Sequence, residues 1–541
     1  MAIKSKKEQL EEWKKTIKIS REYRKPFISH WKYWEEIYDG NLWGNQKFMS
    51  VNPLASKDKP VVINELDPII NNILPKIDFN FPVFDVDDMV SGNSLAALVY
   101  ETYALKLFEY LDMFDTVREI ILDGLVLGGG VHKTGILYDV EVSKYNLSEF
   151  SISNEMPMSQ RVSPMNCLWD HRYSSWKEKR WFAEEIIKPV DEVKDSNIYE
   201  NTANLKSNLS SLEELPKHMQ TQFRASDLQD MVTLVELHDL TNGKIMTFTQ
   251  GHDKFLQYDD DYGIEIYDQL IFTKTRPQRF WGKSVTQDIE NHLVRLAYAN
   301  HYMDEDVKQA ARKIFEADTS IGRNVIALLE SDSPRIILPI DGLTSMMAEP
   351  VREITTSANV FQWSSVMGII ERQIRGISGS TMQERGTHEP GVETKAEAEM
   401  LKASSETRNQ DRALLLSMFV QNIMRKMLKL SSDFMQPERI AEIVGIPKED
   451  AWMIEPFDNM KLSVKFGSTA IEARQMYMQK LMTVAQAFPD IVNRFNLMQK
   501  FMTALGFGMK DQDLLMQSQP TPQEQQVQQQ GEQVPPSGSP F

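Results

Sequence analysis

Apolar positions along the chain switch between a helical and an alternating period, and the switches divide it into segments. Over residues 6–38, Trp31, Trp34 and Tyr38 recur at three and four, one face of a helix, with Gly40 placed to end it. Residues 61–86 hold short apolar pieces broken by Pro68, Pro75 and Pro82, which fix φ and remove donors. A short helix around Asp67–Leu74 and then extended chain are expected. Leu98, Leu105, Phe108, Val117 and Ile121 predict one long helix over 94–122. A glycine-rich turn over Gly124–Gly135 and a strand over Thr134–Val142 follow. Residues 143–160 are polar and irregular and read as a surface excursion. An extended segment and a strand at Trp181–Ile187 lie within 161–190, and loop plus helix within 195–230. The β-rich runs Val232–Leu240 and Lys244–Thr249 flank Asn242-Gly243, a dipeptide that tolerates positive φ at both turn positions, and predict a hairpin.

A different regime begins at residue 284. Ser284 and Gln287 form a capping-box pattern. Behind it, Val285, Ile289, Leu293, Leu296, Met303, Val307, Ala310 and Ile314 keep one apolar stripe, interrupted by Asn300. A helix of about thirty residues, ~45 Å long, is expected, and such a helix needs neighbours along its length. Residues 315–354 place Gly322, Pro334, Pro339, Gly342 and Pro350 around two short β-rich pieces, a small self-contained module. Val360, Phe361, Val366, Ile370, Ile374 and Ile377 mark a second helix over 357–377, closed by Gly376 and Gly379. A polar loop over 378–392 leads to Thr394 and Glu397, a second capping-box pattern that opens a long helix to about Leu430. Leu462, Val464 and Phe466 alternate like a half-buried strand, and 470–516 turn helical again. Nine Gln and five Pro over 517–541 leave little that could form a core, so this tail is expected to be disordered. The fold class is therefore α+β, mainly helical. Its β-containing module is inserted between two helices that must run antiparallel to carry it.

Composition narrows the function. At 541 residues the chain exceeds one hydrophobic core and should form several domains. Its net charge of −17, from 60 basic and 77 acidic residues, argues against non-specific gripping of nucleic acid, which needs a basic excess. Either the chain does not meet nucleic acid, or it meets it without gripping it. The single cysteine, Cys167, permits neither an internal disulfide nor a cysteine zinc cluster, which fits a reducing cytoplasm. The first residues contain no apolar signal region, and no run of 18 apolar residues occurs, so no membrane association is expected. Of 29 methionines, Met418, Met424, Met427, Met476, Met478 and Met482 fall where they can fill gaps in helical packing.

Catalytic patterns fail one after another. The run Gly128–Thr134 looks like a phosphate-binding loop, but His132 precedes Lys133 where a glycine is needed, and Leu127 stands where the first glycine should be. A tight turn into a strand is the better reading. Asp259, Asp260 and Asp261 lack the alternating spacing of a calcium loop. His292 and His301, nine apart on one helix, face different directions. No metalloprotease, nucleophile-elbow or Cys/His pattern is present, so no catalytic residue, metal or cofactor is expected.

Several segments resemble the portal, or head-to-tail connector, family of tailed double-stranded DNA bacteriophages. They are Trp34, Tyr38, Gly40 and Trp43; Val61-Val62-Ile63-Asn64 with Pro68-Ile69-Ile70; Lys76-Ile77 with Phe81-Pro82-Val83-Phe84; Asp123–Gly128 with Val131 and Lys133-Thr134-Gly135; Ser163-Pro164 with Leu168-Trp169-Asp170; and Phe280–Ser284. Their order, with the helix–insert–helix–loop–long-helix plan, extends the resemblance over residues 30–470. It implies a wing (1–283), stem helix 1 (284–313), a clip (314–354), stem helix 2 (355–377), a tunnel loop (378–393), a long helix with wing return (394–470) and a helical crown (471–516), ahead of the 517–541 tail. The implied protein is a virion component made in the host cytoplasm: a dodecameric ring at one capsid vertex through which double-stranded DNA enters and leaves. Its implied partners are the terminase large subunit, then the head-tail adaptor, and the major capsid and scaffold proteins. Tunnel-loop residues Gln383, Glu384, Arg385, His388 and Glu389 would face DNA, and Arg323, Asn324 and Arg335 would offer the clip surface for motor or adaptor. Two other classes compete: a minor capsid or scaffold-interacting protein without a channel, and an enzyme such as a nuclease or ATPase with a site assembled from distant residues.

Overall fold

The computed structural model describes residues 5–42, 63–77, 82–88, 94–138, 155–196, 198–209, 230–275, 279–311, 313–318, 335–340, 351–354, 359–379, 395–447, 451, 454 and 456–465. Its helices are α1 (Lys6–Tyr38), α2 (Leu66–Ile77), α3 (Ser94–Tyr110), α4 (Met113–Val126), α5 (Val190–Asp195), α6 (Val285–Ala311), α7 (Val360–Ser378), α8 (Lys395–Phe434) and α9 (Pro437–Val444). Its strands are β1 (Val83–Asp88), β2 (Gly130–Tyr138), β3 (Glu155–Val162), β4 (Cys167–Trp169), β5 (Trp181–Pro189), β6 (Met231–Asp239), β7 (Lys244–Thr249), β8 (Gln257–Asp260), β9 (Tyr267–Leu270), β10 (Lys313–Asp318), β11 (Arg335–Ile340), β12 (Val351–Ile354) and β13 (Met460–Lys465). The class is α+β with helix prevailing.

Helix α1 begins on a reciprocal capping box, Glu8 N donating to Ser5 Oγ and Ser5 N to Glu8 Oε2. It ends at Asp39, followed by Gly40 at φ +82°. Its buried stripe, including Leu10, Ile17, Trp31, Trp34 and Ile37, crosses both the five-stranded sheet β4-β5-β6-β7-β8 and the main core. A three-stranded sheet, β3-β2-β9, and the β1-β13 pair complete the base.

The resemblance-bearing segments converge there. Trp31 Nε1 donates to Leu127 O at 3.0 Å, and its ring lies edge-on to Trp281 at 5.1 Å. Trp169 stacks on Phe280 at 5.2 Å and meets Trp281 edge-on at 5.5 Å. These contacts need bare backbone beside them. A Cβ at Gly128, which sits at φ +92°, would lie 2.7 Å from Gly282 O, and one at Gly129 would lie 2.8 Å from the Trp281 ring.

Several expectations are corrected. Residues 94–122 form not one helix but α3 and α4, separated at Leu111 and Asp112, the latter at φ +49°. Leu105, counted toward the apolar stripe, is exposed on α3. The glycine-rich turn is confined to 127–129, because Gly124 lies in α4 while Gly130 and Gly135 lie in β2. Strand β2 starts earlier than expected, and β3 occupies the end of the supposed 143–160 excursion. Among the described residues the module after α6 holds three strands rather than two, the first starting at Lys313, so α6 stops at Ala311. In the β6–β7 hairpin only Gly243 takes a positive φ (+61°). Asn242 does not, because the Asp239 carboxylate captures the N–H groups of Thr241 and Asn242 and forms an Asx turn. Residues 466–541, with the expected crown and tail and with Phe466, and Thr394 of the second capping box lie outside the described residues.

Candidate functional site

The part of the molecule shaped for something other than its own core is the helix pair α6/α7 and the sheet it carries. Helix α6 starts where Gln287 N donates to Ser284 Oγ at 2.9 Å. Its first turns bury Ile289, Leu293, Leu296 and Ala297, and Trp34 Nε1 ties it to α1 through Glu290 Oε2 at 2.7 Å. Helix α7 returns antiparallel. Trp363 Nε1 donates to Asp306 Oδ2 at 2.6 Å and the Trp363 ring stacks on Tyr302, while Arg295 reaches Gln373 at 3.5 Å one end further down. The α7 stripe narrows to Ile370 and Ile374 where it meets the base.

Beyond α6, strand β10 pairs in parallel with β11, from Lys313↔Arg335 to Asp318↔Ile340, and antiparallel with β12, from Ile314↔Ile354 to Ala317↔Val351. Arg335 therefore opens β11 opposite Lys313. Arg323 and Asn324 lie outside the described residues, as do Gln383, Glu384, Arg385, His388 and Glu389. The anchors on either side of that second group are described. Gly379, at φ +76°, ends α7, and Gly376 lies within the helix rather than closing it. Arg408 of α8 donates to Gly376 O at 2.9 Å and Ile377 O at 3.2 Å, placing a cation on the last carbonyls of α7.

Sequence periodicity used Val360, Phe361, Val366 and Ile377, with Ile370 and Ile374, to mark this helix. The structure exposes the first four, Phe361 by 85%, together with Ile369, and on α6 Val307 and Tyr302. The physical reason is geometric: among the described residues α6 is the helix packed along the length of α7, with α8 reaching only its last turn, so one stripe is covered and the remaining apolar positions face outward. Five exposed apolar side chains within eighteen residues of one helix are the signal that a monomer-based reading of the pattern misses.

The base holds most of the buried charge among the described residues. Lys133 on β2 lies between Glu236 (2.7 Å) and Glu184 (3.4 Å), which face each other across β5 and β6. Burial pulls the ammonium pKa down, but the two carboxylates more than offset it and hold the pKa above its usual range. Burial raises the Glu184 carboxyl, and burial together with the nearby Glu236 and Glu184 charges raises the Tyr267 phenol whose hydroxyl points at Glu236. Lys179, over the Trp176 ring and paired with Glu265, is pushed down to about 8 by burial. Asp268 is pushed up to about 6 by burial, although Lys426 of α8 lies at 2.8 Å and opposes the rise. In sequence these groups lie on strands, loops and α8, many of them separated by fifty or more residues, so no local motif announces them.

One pair has the outline of a nucleophile and its base: His132 Nε2 lies 2.8 Å from Ser159 Oγ. Its other nitrogen meets the Thr134 hydroxyl rather than a carboxylate, and burial pushes the imidazole down to about 3. An imidazole so reluctant to accept a proton cannot serve as general base near neutral pH. His132 is a satisfied core histidine. His238 pairs with Asp261, which accounts for one member of the acidic run 259–261. Among the described residues no group of three or more His, Cys, Asp or Glu could hold a metal ion. A groove of about 350 Å³ beside α8 is lined by Arg425, Lys426, Lys429, Glu265, Asp458 and apolar Ile264, Phe457 and Met460. Lys426 and Lys429 there are already neutralised by Asp268, and by Asp433 and Asp458.

No known family model matches the chain, and no curated protein matches it. No helix among the described residues is long and apolar enough to cross a membrane.

Proposed function

We propose that the chain is the portal protein of a tailed double-stranded DNA bacteriophage, a subunit of the ring-shaped channel at one capsid vertex. The observation that supports this best is the antiparallel α6/α7 pair, rooted in an α+β base and bearing a small sheet at its far end, with apolar side chains left outward along α7. In a ring, each subunit meets its neighbours through two different surfaces, and closure requires that contact to repeat around an axis. Side-by-side stalks with apolar flanks supply such a contact. The net charge of −17 suits a channel that DNA passes without sticking.

In this reading the base is the wing, α6 and α7 are the stem, and β10–β12 belong to the clip that meets the terminase large subunit during packaging and the head-tail adaptor afterwards. The segment between Gly379 and α8 carries the DNA-facing residues, the protein resides in the virion, and neighbouring capsid and scaffold proteins surround the ring. The channel then serves packaging, retention and ejection of the genome without a cofactor, since the motor that hydrolyses nucleotide is a separate protein.

Electron microscopy with light scattering on one sample tests the reading. Rings with a central hole are expected, with a mass of roughly 750 kDa if twelve 62.4 kDa chains close the ring. A compact oligomer with no hole would overturn it and promote the channel-less capsid protein.

A further inference from the structure

The β6–β7 hairpin carries a reactive dipeptide that the channel reading does not use. Asn242-Gly243 is the sequence's single Asn-Gly pair, and Asn242 is exposed at the turn. Such pairs deamidate spontaneously because glycine leaves the following amide nitrogen unhindered. That nitrogen attacks the asparagine Cγ, the new N–Cγ bond displaces the side-chain amide as ammonia, and water later opens the succinimide to aspartate or isoaspartate. The Gly243 N–H makes no hydrogen bond to a described residue, so the nucleophile is free.

The electrophile is not free. Asp239, itself buried, accepts from Thr241 N at 3.0 Å and Asn242 N at 3.3 Å through one oxygen. Its other oxygen accepts from the Asn242 side-chain amide at 2.6 Å. A short hydrogen bond to a carboxylate is among the stronger ones in proteins, and it must break before Cγ can swing toward Gly243. Asp261, whose N–H donates to Gly243 O at 3.0 Å, adds a second carboxylate beside the turn. Both charges oppose removal of the Gly243 amide proton, the step that makes the nitrogen nucleophilic. We propose that Asn242 is a latent deamidation site held unreacted by the Asp239 carboxylate. Reaction would be consequential, because it would set a new carboxylate against Asp239 in place of the amide that now binds it.

The full-length chain, incubated in mildly alkaline buffer and mapped by peptide mass spectrometry, provides the test. Conversion at Asn242 should be far slower in the folded chain than in the same chain unfolded in urea. Asp239→Asn keeps an acceptor for the two backbone N–H groups but presents an NH₂ where the Asn242 amide needs an acceptor. It should raise conversion roughly 10- to 100-fold, the factor that a hydrogen bond to a charged group carries. Thr249→Ala removes the Thr249 Oγ1 bond to Thr233 O at the hairpin's other end and serves as the loosening control, which should leave the rate unchanged. Equal rates in folded and unfolded chain, no acceleration in D239N, or equal acceleration in T249A would each overturn the proposal.

Discussion

The base and the helix pair α6/α7 are built from similar proportions of apolar residues but use them differently. In the base, Trp31, Tyr100, Tyr103, Trp181, Phe182 and Tyr267 are essentially inaccessible, backbone meets backbone at glycines, and charges such as Lys133 are buried with their partners. In α7, a helix of 19 residues, only Ile370, Ile374, Arg375 and Ser378 are buried. A helix that commits so little of its surface to its own chain gains little stability from it, since tertiary burial, rather than propensity, supplies most helical stability. The base is therefore the part that buries most of its large apolar side chains, and the helix pair is the part whose apolar flank no described element covers.

The sharpest way to break the comparison is to damage the base. A Cβ at Gly130 would collide with Ile120 O and the Ile120 side chain at the junction of α4 and β2. Gly130→Ala should cost more than ~4 kcal/mol in chemical denaturation, the exceptional range reserved for buried steric conflict. A variant within ~1 kcal/mol of wild type would show that the α4–β2 junction can yield, and that the base is less rigid than its packing implies. Lys133→Met comes next. It removes the cation between two facing carboxylates, and breaking a buried ion cluster from one side costs about 3–5 kcal/mol. Replacing Glu184 and Glu236 by Gln in the same chain should recover much of that loss, which separates the cost of stranded charge from the cost of poor packing.

Much of this contrast was legible in the sequence, and the parts that were not share a cause. Local signals held: the Ser284 cap, the 6–38 helix and the β6–β7 hairpin all rest on residues within a few positions of one another. The break at Asp112 was missed, although Phe108 and Val117 are nine residues apart, two and a half turns, and so lie on opposite faces of an uninterrupted helix. Non-local features were not legible. Lys133, Glu184 and Glu236 meet only because β2 packs against the β5–β6 pair, and the pairing of β10 with both β11 and β12 depends on register rather than composition. The α7 periodicity was real, but it did not say what covers its apolar positions: an apolar position says that a residue should be covered, not that its own chain covers it.

The third measurement sharpens the base through its protons. The His132 imidazole is held near 3 when folded and titrates near 6.5 when unfolded. The unfolded chain thus binds the extra proton first, so the stability contributed by neutral His132 is complete above pH ~6.5 and declines by about 1.4 kcal/mol per pH unit down to pH ~3. Asp268, raised to about 6, works the other way between its unfolded value and 6, because there the folded state holds the proton more tightly. Wild type should therefore show a flattened profile from these two groups, while the stability advantage of wild type over His132→Gln shrinks steadily as pH falls below 6.5. A constant difference between the two would remove His132 from the buried, neutral role.

The smallest expected effect on stability falls on α7 and discriminates best between the two regions. Phe361 is almost wholly solvent-exposed, so Phe361→Asp should change the chain's unfolding free energy by no more than about 0.5 kcal/mol. The same change at Ile370, buried against α6, puts an unpaired carboxylate into an apolar seam and should be severely destabilising. If outward apolar side chains are the contact by which copies of the chain associate, Phe361→Asp should lower the mass seen by light scattering while circular dichroism and melting remain those of wild type, because charge at the centre of an apolar contact is desolvated only in the assembly. Unaltered assembly in that variant and in a Val366→Asp, Ile369→Asp double variant would assign the flank to solvent, and the burden of association would pass from the helix pair to the base.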